Sequence, residues 1–282
     1  MKIIEAIDKI KAYHRGISKG EPIDPIKTRD QILYGDPEQE LKSIVTTCFA
    51  SYEVIEKAIE AGANLVICHE ALFWNHGDHT DWLGDNRTFQ AKTALLDQGK
   101  VVVWRDHDFI HSGIPMPDGT WADGIFYGIM KVLGWEGYLK SWDGNQPSRF
   151  QLPATTVREL GRELMEKLPL KGIKVIGSLD SPVSKVWIPG HVMGMHDNDV
   201  LKTMEEDDID TLIVFECIDY TVTEYVRDST QAGRPKTILA VGHFNTEEPG
   251  MQYMTGYLPA VLGEGLSCSF IPSTDMYEFL TK

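Results

Sequence analysis

The sequence has no C-x-x-C pair among its four cysteines, Cys48, Cys68, Cys217 and Cys268, so a zinc-finger or thioredoxin-like motif has no support. Three of them lie in apolar, strand-like runs and Cys217 follows one, which makes them expected core residues in a reducing compartment. No apolar run approaches the roughly 20 residues that a membrane span needs, so no membrane partner is expected. The start, Met1-Lys2-Ile3-Ile4-Glu5-Ala6, reads as an amphipathic helix without the apolar core and cleavage site of a signal peptide, and a cytoplasmic location is expected. Positive charge is scarce: 27 Lys and Arg stand against 42 Asp and Glu, a formal charge of −15. That surface repels a phosphate backbone, which argues against nucleic acid as a partner. It favours cations, although most of its carboxylates are read as serving solubility. Low-complexity segments and short-period repeats are also missing.

What is present is an alternation of strand-like and helix-like segments over 282 residues. SIVTTCF (Ser43 to Phe49), NLVIC (Asn64 to Cys68) and VVVW (Val101 to Trp104) are apolar runs separated by stretches with helical spacing, a βαβ rhythm. The rhythm restarts after the turn-rich Gly144-Asn145-Gln146-Pro147, a candidate boundary. Lys174 to Ile176, Lys185 to Ile188, Thr211 to Phe215 and Lys236 to Val241 are further strands. The expectation is an α/β fold of two interlinked lobes with mixed sheets. Residues 1–140 with 236–282 would form the first lobe, carrying most of the ligands, and residues 141–235 the second.

Three strands run directly into clusters of histidine and acid. His69-Glu70 follows NLVIC, Asp106-His107-Asp108-Phe109-Ile110-His111 follows VVVWR, and Gly242-His243-Phe244-Asn245-Thr246-Glu247 follows KTILAV. Ligands of open α/β sheets bind beyond the carboxyl ends of strands. Imidazole and carboxylate are standard donors for zinc, iron and manganese. Any one cluster alone is more simply a hydrogen-bonded surface pair; three after three buried strands point to a shared site. The loop Asn75 to Asp81 holds His76, Asp78 and His79 and reads as a mobile polar surface loop. Gly190-His191-Val192-Met193-Gly194 could approach a phosphate or substrate, His196 and Asp197 could face the cleft, and Glu216 ends another strand.

These residues resemble motifs of the Nif-three-like family, also called the type 2 GTP cyclohydrolase I family. Gly62 to Phe73 (GANLVICHEALF) is similar to its HHP motif, Trp104 to His111 to its HTNLD motif, and Gly242 to Glu247 to its GH-x-x-TE motif. TRDQILYGD, ending at Asp36, and the middle segment PATTVRELGRELMEKLPLKGIKVIGSLDSPVSKVWI extend the likeness over most of the chain. The resemblance implies two α/β lobes with a dinuclear metal site in the cleft between them, and a homohexamer built from dimers. Carried over position by position, it implies His69, Glu70, His111, His243 and Glu247 as metal ligands. Glu70 stands where the family has its second histidine, and His111 where it has a bridging aspartate. The exchanges are paired: the five positions keep three imidazoles and two carboxylates.

The expected function is a metal-dependent hydrolase with two divalent ions (zinc, iron or manganese) acting on a small molecule. Two ions roughly 3.5–4 Å apart can activate water. His107 and Asp108 are the candidate catalytic proton carriers, with Glu248 beside them. GTP cyclohydrolase-like chemistry is implied by the resemblance alone, and the sequence offers no P-loop. The alternatives are a non-enzymatic metal-binding, metal-delivery or adaptor protein, and a degenerate site that binds one ion or none. If the exchanged ligands are both functional, Glu70→Ala and His111→Ala should each lower metal stoichiometry by elemental mass spectrometry; unchanged content in both sinks the paired exchange.

Overall fold

Ile3, Ala6, Ile7 and Ile10 recur at helical spacing and form the buried face of α1 (Ile3–Tyr13). The computed structural model describes residues 1–194 and 197–280; His196 lies outside them. A short hairpin, β1 (Ile17–Ser18) and β2 (Glu21–Pro22), leads to β3 (Ile32–Tyr34) and β4 (Ser43–Thr47). Ser51 caps α2 (Tyr52–Glu60) by accepting the Val54 N–H. β5 (Leu65–Cys68) follows, then α3 (Arg87–Gly99), capped by Asn86, and β6 (Val102–Arg105). Beyond β6 come the five-residue α4 (Asp108–Ser112), the ribbon β7 (Ile114–Pro115) and β8 (Trp121–Ala122), and α5 (Gly124–Leu133).

β9 (Leu139–Asp143) and β10 (Gln146–Thr156) make a hairpin. Thr156 and Glu159 form a capping box at the start of α6 (Val157–Lys167). The chain continues through β11 (Lys174–Ile176), β12 (Pro182–Val192), α7 (Asn198–Glu206), β13 (Thr211–Cys217), α8 (Val222–Gln231), β14 (Thr237–Ala240), α9 (His243–Leu262) and β15 (Ser267–Phe270).

The chain forms two compact units. Met1–Gly128 with Gly250–Ser273 make the first, Ile129–Pro249 with Thr274–Lys282 the second. The first holds a five-stranded sheet in the order β15-β4-β5-β6-β3, parallel except for β3. Its β4, β5 and β6 are almost wholly buried and rich in Val and Ile, as parallel strands covered on both faces should be. The second holds a six-stranded mixed sheet, β11-β14-β13-β12-β10-β9, in which β12, β13 and β14 are parallel neighbours. Each unit has its own apolar core, around Val45, Val66, Leu96 and Val103 in the first and around Leu212, Val214, Val226 and Ile238 in the second. Among the described residues no helix is long and apolar enough to cross a membrane.

Two expectations change. Gly144 and Asn145 form the two-residue turn of the β9–β10 hairpin, with Gly144 at φ +61°, so this stretch lies within a sheet and marks no boundary. Residues 236–249 belong to the second unit, because β14 pairs between β13 and β11. Cys48 and Cys68 are buried, and Cys217 and Cys268 are half-buried.

Lys92 on α3 is buried in the first core. Its Nζ donates to the Leu72 carbonyl at 2.7 Å and lies over the Phe49 ring, 4.7 Å from its centre. Burial brings its pKa down from 10.5 to about 8. The folded side chain therefore releases its proton near pH 8 and the unfolded one near 10.5. Between those values the unfolded chain binds more protons, and stability rises with pH. Relative to Lys92→Met, denaturant unfolding should show a gain on the order of 2–3 kcal/mol across that window; a flat difference would exclude a titrating buried lysine.

Candidate metal centre

In the first unit, β5 and β6 lie parallel with Cys68 opposite Arg105, so the chain leaves both carboxyl ends side by side. The N–H groups of His69 and Glu70 both donate to the Cys48 carbonyl, turning the backbone out of the strand. His69 is buried, and its Nδ1 meets the Asp106 carbonyl at 3.0 Å. Its ring stacks on His107, centres 4.6 Å apart, and the His111 ring stands edge-on to both at 5.0 Å. One ligand atom from each of these three imidazoles lies within 4.8 Å of the others.

Every ring of this group has an oxygen partner at Nδ1. His69 has the Asp106 carbonyl, His107 has Asp108 Oδ1 at 2.9 Å, and His111 has Asp123 Oδ2 at 2.8 Å. A proton donated from Nδ1 leaves the lone pair on Nε2, the arrangement that supports metal-ligating histidines. Burial, with the neighbouring His69, brings the His107 pKa down to about 4, so this ring is neutral at physiological pH. The hydrogen bond from His107 holds the Asp108 carboxyl far below its usual range, and the Arg29 N–H and Thr28 hydroxyl add to it. Asp108 thus holds the Nδ1 side of the His107 ring.

The polar groups beneath this cluster escaped the sequence reading. Asp30, buried, accepts the backbone N–H groups of His107, Asp108 and Phe109 at 2.9–3.1 Å and anchors the start of α4. Asp123 Oδ1 caps α5 through Ile125 and Phe126 while its Oδ2 holds His111; an acid ahead of a helical stretch was the available signal. Below them, burial together with Asp30 pushes the Asp106 carboxyl well up, while burial brings His14, 3.7 Å away, down to about 4.

Glu70 lies beside the imidazole group, with a carboxylate oxygen within 4.8 Å of a His69 ring nitrogen. Its Oε2 lies 3.5 Å from Nη2 of the buried Arg105, whose Nε donates to the His69 carbonyl at 2.8 Å and whose Nη1 reaches Asp78 at 3.1 Å. Arg105 also donates to the His76 carbonyl, and Asn75 and Asp78 bond back to the loop backbone. The Asn75–Asp81 segment is therefore pinned, in contrast to the mobile loop expected.

In the second unit, His243 begins α9 and Glu247 lies one turn on, Nε2 to Oε1 3.3 Å. The motif expected as a loop is thus a helix start. Glu216 on β13 takes both neighbouring imidazoles, His191 Nδ1 at 2.7 Å and His243 Nδ1 at 3.2 Å. Burial pushes its carboxyl up, and the two rings outweigh this and bring it to about 2. Glu248 is buried and accepts the Thr274 N–H. Asp197 accepts the Gly194 N–H.

Fold and site define an α/β protein of two units, with imidazole and carboxylate groups at the carboxyl ends of parallel strands in each. Residues 29–94 match the Duf34/NIF3 (NGG1p interacting factor 3) family. No curated protein matches the chain. A Bacillus cereus protein related to NIF3 shares the fold at a TM-score of 0.69 and 11% identity, covering 100% of this chain and 99% of that one. A Thermus thermophilus protein, TTHA1606, gives 0.67 and 19%, with 98% and 100% covered. Reduced HcgD from Methanocaldococcus jannaschii gives 0.62 and 15%, with 96% and 97% covered. The family match is confined to residues 29–94, and the solved structures show that the fold is shared.

Asp123 separates folding from metal affinity. Asp123→Asn keeps the oxygen that caps α5 but turns an amide N–H toward His111, which favours the tautomer with its proton on Nε2. Zinc affinity, read by competition with a chromophoric chelator, should fall about 10–100-fold with little change in Tm. Asp123→Ala should also lose the cap, about 1 kcal/mol. Equal zinc affinity in all three proteins would remove Asp123 from the metal centre.

Proposed function

We propose that this protein binds divalent metal and acts as a metal-dependent hydrolase on a small molecule. The observation that carries the proposal is the group His69, His107 and His111, each ring held at Nδ1 by an oxygen. Three imidazoles fit zinc or iron. Of the other expected ligands, Glu70 lies beside His69, and His243 and Glu247 stand one turn apart on α9; two ions per chain is the load this reading expects. A bound ion supplies Lewis-acid polarisation and water activation. The chain's own residues fix the tautomers, through Asp106, Asp108 and Asp123, and position α4 through Asp30. The excess of carboxylates favours a substrate of low negative charge over a nucleoside triphosphate.

Elemental mass spectrometry of untagged protein purified without chelator, followed by turnover assays with phosphoester, amide and nucleotide panels, tests both halves. Full metal content that falls in His107→Ala, with turnover that falls alongside, supports the hydrolase. Full metal content without turnover favours a metal-delivery or adaptor protein. Metal-free protein after reconstitution with zinc, iron and manganese sinks the reading altogether. Glu70→Ala adds a discrimination: reduced metal content makes Glu70 a ligand, whereas unchanged content leaves it the counter-ion of Arg105.

A further inference from the structure

We propose that the second unit carries a metal site of its own, in which His191, Glu216 and His243 hold a divalent transition-metal ion through two imidazoles and one carboxylate. Three neighbouring parallel strands build it. Gly190 on β12 is opposite Val214 on β13, and Val214 is opposite Ala240 on β14. His191 and Glu216 therefore fall near the carboxyl ends of adjacent strands, and His243 follows the third by three residues. Ligand atoms of the three lie within 4.8 Å of one another. The Glu216 carboxylate is already seated between the rings, and the ring centres are 4.9 Å apart. Phe215 packs against both imidazoles at 5.2 and 6.1 Å and limits their rotation.

A second observation concerns access. Glu216 and His243 border a cavity of about 580 Å³ walled by Phe215, Phe244, Met276 and Tyr277. Two imidazoles and a carboxylate leave several coordination positions of a transition-metal ion unfilled, and a cavity of this size gives a small exchangeable ligand room to reach them. The composition suits iron(II), cobalt(II) or zinc. The site needs none of His69, His107 and His111. It shares His243 with the ligand set the family resemblance implies, but His191 belongs to no such set, so His191 distinguishes the two.

Cobalt(II) titration of the full chain, followed by its visible absorption and by elemental analysis, tests the proposal. In a His69→Ala/His107→Ala background, about one equivalent of cobalt should still bind. Adding His191→Gln should weaken that binding at least tenfold with Tm unchanged, since this side chain is half exposed. Glu216→Gln should do the same. Cobalt binding indifferent to His191→Gln overturns the proposal and leaves Glu216 as the group that orients His243. Loss of all cobalt in the background variant, at unaltered Tm, overturns it as well. Binding that depends on His191 but not on His69 or His107 would keep this site and sink the first-unit centre, so the two readings fail separately.

Discussion

Cys68 and Arg105 face each other across the parallel β5–β6 pair, and the residues that follow them, His69 and Asp106, are joined by a hydrogen bond of 3.0 Å. That register is the constraint from which the first-unit centre follows. A slip of one residue along β6 would reverse the face of every side chain after Val101. It would put Asp106 where Arg105 now lies and turn Val103 away from Val66 and Leu96. The apolar runs of β5 and β6 hold the register, because both strands are buried along their whole length. The chemistry beyond the strand ends is thus positioned by residues that have no chemistry of their own.

Charge beneath the centre is spread over shared partners. Asp30 gathers the N–H groups at the start of α4, and its own segment, before β3, comes from far earlier in the chain. Arg105 spreads its donors over the His69 and His76 carbonyls, Asp78 and Glu70. Removing one partner from such a set costs more than the bond itself, since the other group is left buried and unsatisfied. These contacts convert a loop of ligand-type residues into a fixed template.

The segments that carry histidine and acid were legible because each follows an uninterrupted apolar run, and such runs have few readings other than a buried strand. The helix caps at Ser51 and Thr156 were local and equally readable. Asp30 and Asp123 were not, because their partners, His107 and His111, are distant or face them only after folding. The assignment of residues 236–249 failed for a related reason. KTILAV fits the interior of either sheet, and only its pairing with β11 and β13 selects one. His191 looked like part of a glycine turn, since its relation to Glu216 depends on strand order. Glu70 lies within reach of both His69 and Arg105, and Arg105 reads in sequence as the end of a strand.

The three imidazoles of the first unit form a donor set without a carboxylate among them, in a chain whose surface is strongly acidic. Attraction by charge and capture by lone pair are thereby separated. The surface concentrates every cation indiscriminately, whereas nitrogen donors discriminate against magnesium and calcium, which prefer oxygen. A hard ion drawn in by the field would find carboxylates across the surface, but only nitrogen among the rings of His69, His107 and His111. Selection between ions would then reside in what is excluded from the innermost shell, with the hard cations confined to the periphery.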